Sequence, residues 1–206
     1  MGKTGMLALA AVFVFLFGCI FEGEGGAGEI PEERMALSLP FGERDVPNSL
    51  IPMGETLEHP KPANPHGRPW IEFLWYNDVG PEKRDVIASA GGEVVAVSSS
   101  GVGDERDISV RSGEYIVQYG HLEPVNRNLS AGVFVERGDY LGKSASLHWA
   151  FGYYMGFEGG HAEYLCPLAY MDAESREALE GIPVMYEMRE AGFVEACSGD
   201  YAGKNK

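Results

Sequence analysis

A chain of 206 residues that is 45% hydrophobic and 11% aromatic has enough apolar material for one ordinary globular domain with a core, which excludes a disordered or collagen-like polymer. Its 31 acidic against 16 basic side chains leave a net charge of −15, a surface that repels phosphate backbones, so nucleic acid is excluded as a partner. The 28 glycines and 12 prolines favour short strands joined by tight turns over a helical bundle.

The N-terminus reads as an address. Lys3 supplies a small positive charge, and the apolar run Met6 to Phe17 is too short to span a bilayer comfortably, so residues 1–18 are predicted to be a signal peptide. The segment Leu16-Phe17-Gly18-Cys19 resembles the lipobox of secreted lipoproteins, which implies cleavage before Cys19 and a lipid on that cysteine as the attachment to the membrane. An uncleaved membrane helix extended through Phe21 is the alternative, and either way the domain lies outside the cytoplasm. Because the acidic body is repelled by anionic headgroups and one acyl chain anchors only marginally, stable attachment requires at least two chains. Residues 19–33, rich in glycine and glutamate, form a flexible tether. The folded domain is expected over 34–192, with a tail at 193–206.

Strand-like runs then follow at short spacing: Trp70 to Tyr76, Asp85 to Ala88, Glu93 to Ser98, Asp107 to Arg111, Glu114 to His121, Val133 to Glu136, Tyr140 to Lys143 and Leu147 to Tyr154. Gly91-Gly92, Ser112-Gly113 and Gly138-Asp139 supply turns between them, and this rhythm predicts a mostly β, antiparallel sandwich or barrel. The proline-rich stretch His59 to Pro69 precedes the strands as a long loop. One helix is predicted after Tyr170, capped by Asp172, with Glu174 in its first turn and stopped by Gly181 and Pro183. A second short helical stretch is read at Val184 to Ala191. Cys166 and Cys197 sit in a compartment that permits oxidation, so a disulfide that staples the C-terminal tail to the body is predicted.

Alternation along the strands puts Tyr115, Val117, Tyr119 and His121 on one face. It puts Ser146, His148 and Ala150 opposite Leu147, Trp149 and Phe151, and Glu72 opposite Ile71, Phe73 and Trp75. Glu72, His121 and His148 are thereby expected on one polar floor of the sheet. The aromatic residues Trp70, Trp75, Tyr76, Trp149, Tyr153 and Tyr154 are read mostly as core, with Trp70 placed to intrude on the groove, and His59 and His161 as surface residues.

Five segments in order, His66-Gly67-Arg68-Pro69-Trp70-Ile71-Glu72-Phe73, Val86 to Val95, Tyr119-Gly120-His121-Leu122, Val135 to Gly142 and Ser146-Leu147-His148-Trp149, together resemble the lysostaphin-type zinc metallopeptidases over roughly residues 53–170. The resemblance implies a compact antiparallel β sandwich with a short C-terminal helix and a groove for glycine-rich or cell-wall peptides. It also implies zinc held by the His and Asp of HxxxD and the second His of HxH, with the other HxH histidine and the histidine of YxHL acting around the attacked carbonyl. Only His121 and His148 stand where the family pattern wants them. Glu72 takes the Asp position, Ser146 replaces the catalytic HxH histidine, and Arg68, a permanent cation without a lone pair to donate, blocks the first ligand position.

A catalytic zinc needs three protein ligands and an open position, and the matched residues supply two at most. The expectation is therefore an Arg68 to Glu72 ion pair in the metal's place, no cofactor, and a noncatalytic, lipid-anchored module that binds a peptide or cell-wall ligand in its groove. The alternative is an active zinc endopeptidase holding zinc through His66, Glu72 and His148, with His121 at the tetrahedral intermediate. In that case His66, two residues before Arg68, supplies the third ligand from a loop stiffened by Pro65 and Pro69.

Overall fold

The structure, a computed structural model, describes residues 35–54, 69–154, 162–190, 192 and 195–197. Residues 1–34, which carry the predicted signal peptide, Cys19 and the tether, lie outside the described residues, as do His59, His66, Arg68 and His161.

Twelve strands are described in chain order: β1 (Ser49–Ile51), β2 (Ile71–Leu74), β3 (Tyr76–Asn77), β4 (Gly80–Pro81), β5 (Arg84–Ile87), β6 (Gly92–Ser99), β7 (Arg106–Ser112), β8 (Tyr115–Leu122), β9 (Phe134–Val135), β10 (Tyr140–Ser144), β11 (Ser146–Tyr154) and β12 (Ala162–Tyr164). A 3-10 turn (Pro167–Tyr170) and two short helices, α1 (Ala173–Glu180) and α2 (Tyr186–Glu190), follow. The fold is mostly β and antiparallel with a short C-terminal helix, as the sequence predicts. Its main sheet runs β1-β2-β11-β8-β7-β6-β9, with β12 pairing the far end of β11, and β5 and β10 form a separate two-stranded ribbon.

Alternation decides which face is covered. Ile71 and Phe73 of β2, Ile108 and Val110 of β7, Val117 and Tyr119 of β8, and Leu147, Trp149 and Phe151 of β11 all turn to one side and are fully buried. Against them pack Val86 of β5, Leu141 of β10, Leu37 and Phe41 from the N-terminal segment, and Leu179 of α1, in one continuous core. Phe41 meets the Phe73 ring edge-on at 5.1 Å, one of several aromatic contacts through which these layers interlock. Burial pushes the Tyr119 hydroxyl up to about 12, so it stays protonated, and its oxygen accepts the Ser89 backbone N–H at 2.7 Å. Two aromatic expectations need correction: Tyr76 is exposed, because the β2 run breaks at Trp75 and a short β3–β4 hairpin carries Tyr76 away from the core, and Tyr153 is only half-buried. Gly92 belongs to β6 rather than to a turn, and an added Cβ there would sit 2.1 Å from the Arg111 carbonyl oxygen.

The C-terminal part is pinned twice. Cys166 and Cys197 are joined, 31 residues apart, and Met53 N–H donates to the Ala196 carbonyl at 2.9 Å, so residues 195–197 are docked on the body and are not part of a loose tail. The predicted helix starts where its cap requires: the Asp172 side chain accepts from Ser175 N–H at 2.8 Å. That backbone hydrogen bond, with Arg137 nearby, holds the Asp172 carboxyl below the ordinary carboxylate range. A carboxyl lowered on folding contributes stability above its unfolded pKa of about 3.9 and loses it as pH falls through the folded value. Asp172→Ala is thus expected to cost about 1 kcal/mol at neutral pH in urea denaturation, with the difference from wild type fading as pH drops below about 4.

Candidate functional site

The uncovered face of the sheet carries the candidate site. Cross-strand pairing lines up Ser98 of β6 with Asp107 of β7, and Gly120 of β8 with His148 of β11 and Glu72 of β2, so one row of the ladder concentrates the polar residues. The next row pairs Ala96 with Ser109, Ser109 with Gln118 and Gln118 with Ala150. Gly120 and Ala150 leave the floor low. Over it opens a cavity of about 360 Å³ walled by Trp70, Ser98, Asp107, Ser109, Tyr164 and the imidazole of His148.

His121 reaches this row by breaking the alternation that was expected to place it. Period two would send its side chain to the core side with Val117 and Tyr119. Instead its backbone adopts φ 65°, the left-handed region rare for a residue with a Cβ, and the β7–β8 register shifts opposite it. The side chain is thereby turned over Gly120 onto the groove face. Asp107 supports this conformation, since its Oδ1 accepts the His121 N–H at 3.2 Å and packs so close to Gly120 that a Cβ there would lie 3.1 Å from it.

The side chains then form a continuous chain of polar contacts. Glu105 Oε2 lies 2.5 Å from His121 Nδ1, and a carboxylate only accepts, so that nitrogen carries the proton. His121 Nε2 accordingly accepts from His148 Nδ1 at 3.1 Å, with the two rings edge-to-face at 4.1 Å. His148 Nε2 faces Glu72 Oε2 at 3.3 Å, and the Ser146 hydroxyl donates to the other Glu72 oxygen. Trp70 stacks on the outer side of His148, its ring 4.7 Å away and nearly parallel, which confirms its placement at the groove. Three of the four imidazole nitrogens are thus engaged in hydrogen bonds, and the fourth, His148 Nε2, stands beside the Glu72 carboxylate.

Of the site residues expected from sequence, Glu72, His121, Ser146 and His148 are brought together, whereas Arg68 and His66 fall outside the described residues. Glu105 and Asp107 were missed, because they stand in no motif and reach His121 only through the irregular β7–β8 pairing. Trp70 was flagged as intruding on the groove, but its stacking on His148 was not foreseen. The donors do not complete a zinc ligand set. Glu72 Oε2 and His148 Nε2 are spaced as two ligands on one ion would be, yet among the described residues no group of three or more His, Cys, Asp or Glu side chains is arranged to hold a metal.

No protein-family model matches the chain, and no curated protein sequence matches it. Solved structures overlap part of it. Csd3 of Helicobacter pylori is 15% identical with a TM-score of 0.48, over 67% of this chain and 35% of that one, so the chain spans about a third of that protein. The SpoIIQ–SpoIIIAH pore-forming complex matches at 18% identity and TM-score 0.48, over 70% of this chain and 97% of the matched chain. Lysostaphin in solution matches at 18% identity and TM-score 0.42, over 63% of this chain and 54% of its own. The chain is similar to each of these over part of its fold.

Proposed function

We propose that this chain is a noncatalytic binding module with a lysostaphin-type domain, exported, held at the membrane by lipid on Cys19, and taking a peptide or cell-wall ligand in the groove over β8 and β11. The observation that carries the reading is the chain of polar contacts Glu105–His121–His148–Glu72–Ser146. In it the imidazoles and carboxylates engage one another where relatives of the resembled family would hold a metal, and a neutral hydroxyl stands at one histidine position. Arg68, four residues before Glu72, adds a permanent positive charge at the remaining ligand position, where it repels a dication and attracts the carboxylate. A metal would have to displace that charge and break His148 away from Glu72 before finding its third donor.

The test is direct. The purified chain, incubated with excess zinc and dialysed, is expected to retain no stoichiometric metal and to leave a glycine-rich peptide uncut, and His148→Ala is expected to change neither result. One zinc per chain, with hydrolysis abolished by His148→Ala, would establish the zinc endopeptidase with His66 as third ligand instead. The 3.3 Å separation of Glu72 and His148 is the observation that keeps this second reading in play.

A further inference from the structure

Three of the groove's four imidazole nitrogens are engaged in hydrogen bonds, so recognition draws on other atoms as well. The opposite end of the same ladder row supplies them. Asp107 spends Oδ1 on the His121 backbone, while its Oδ2 has no partner among the described residues. Ser98, its cross-strand neighbour, and Ser109, two residues along β7 on the same face, line the same cavity. Their hydroxyls likewise have no side-chain partner among the described residues. Ala150 lies on the floor of the same cavity, and no lysine or arginine is among the described residues lining it.

We propose that the Asp107–Ser98–Ser109 end of the groove is a subsite for a primary ammonium group, the free amino end of a bound peptide. This rests on the peptide-binding reading of the groove given above and names the ligand end it selects. An ammonium offers three N–H donors and one positive charge, and this end of the cavity offers one unengaged carboxylate oxygen and two hydroxyl oxygens. Charge-assisted bonds of this kind are roughly twice as strong as neutral ones. The chain's net charge of −15 also favours the approach of a cationic ligand. A peptide would then lie with its amine on Asp107 and its chain running past Ala150 towards Trp70.

The experiment titrates the full chain in detergent with triglycinamide and with N-acetyl-triglycinamide, which differ only in the ammonium, and follows the amide resonances of Ser98, Asp107 and Ser109. Saturable shifts are expected with the free amine, with the acetylated peptide at least about tenfold weaker. Asp107→Asn keeps an oxygen for the His121 N–H while it removes the charge and turns the other acceptor oxygen into an N–H donor, so it is expected to erase the difference while the His121 and Ser146 resonances stay in place. Should Asp107→Asn fail to fold, Ser109→Ala is expected to weaken the free amine severalfold and leave the acetylated peptide unaffected. Equal binding of the two peptides, no saturable shift with either, or a preference that survives in Asp107→Asn would overturn the proposal. Zinc content measured on the same sample separates the two conclusions. Amine preference in a zinc-loaded protein would keep the subsite and overturn the noncatalytic reading, and metal-free protein without preference would do the reverse.

Discussion

Arg68→Ala is expected to leave the chain still unable to hold zinc, whereas Arg68→His is expected to give it a site. Two donors are already in register. Glu72 Oε2 and His148 Nε2 stand 3.3 Å apart, close to the separation that bonds of about 2.0–2.2 Å impose on two ligands of a tetrahedral ion. On the proposed reading, what is missing is a third donor, and Arg68, four residues upstream, opposes a metal with its fixed positive charge. Alanine removes only the charge, while histidine removes the charge and adds the donor. Zinc affinity in Arg68→His, read by competition with a chelating dye, is expected to rise at least about 100-fold over wild type, on the order of 2.8 kcal/mol. The two donors must also give up the chain that now joins them, so Ser146→Ala, which frees one oxygen of Glu72, is expected to raise the affinity of Arg68→His further. An Arg68→His protein with no more affinity than wild type would show that Glu72 and His148 are not the remnant of a ligand set.

The second large effect is on stability. Removing the Cys166–Cys197 bond by the paired substitution Cys166→Ala and Cys197→Ala is expected to cost about 3.5–4 kcal/mol, from the chain entropy released when a loop of this length is no longer closed in the unfolded state. Both cysteines are buried in the core, so the alanines add a packing loss in the same direction. The damage is expected at the docked segment 195–197 and the hydrogen bond it receives from Met53, next to Leu50 and Ile182. Urea denaturation of the oxidised protein, the reduced protein and the double variant measures it. Oxidised and reduced proteins with the same midpoint would mean that packing alone docks the segment.

The sequence made most of the sheet legible because its strands alternate cleanly. In β11 the large residues Leu147, Trp149 and Phe151 are buried and His148 and Ala150 line the groove, which is what period two demands of a sheet covered on one face. The helix at Ala173–Glu180 was legible for a different reason, since Asp172 and Gly181 mark its two ends chemically. Short elements were not. β1 and β12 have three residues each, too few for a period to register, and they exist because β2 and β11 offer them edges.

At the site, identity was legible and geometry was not. Glu72, Ser146 and His148 follow from alternation and the resemblance. His121 was put on the polar floor by the same rule, but the rule gives the wrong face for it, and only the left-handed turn of its backbone brings it there. A positive φ at a residue with a side chain has no signature in a single sequence. Glu105 and Asp107 depend on that turn and were invisible with it.

On the proposed reading, the Arg68 side chain and a set of mutually engaged polar groups take the place of a metal. Diffraction from crystals of the wild-type chain grown in zinc, recorded on both sides of the zinc absorption edge, tests it most directly. The expected result is no anomalous peak between Glu72 and His148 and the Arg68 guanidinium against Glu72. A peak bonded to both side chains, with Arg68 turned to solvent, would contradict it.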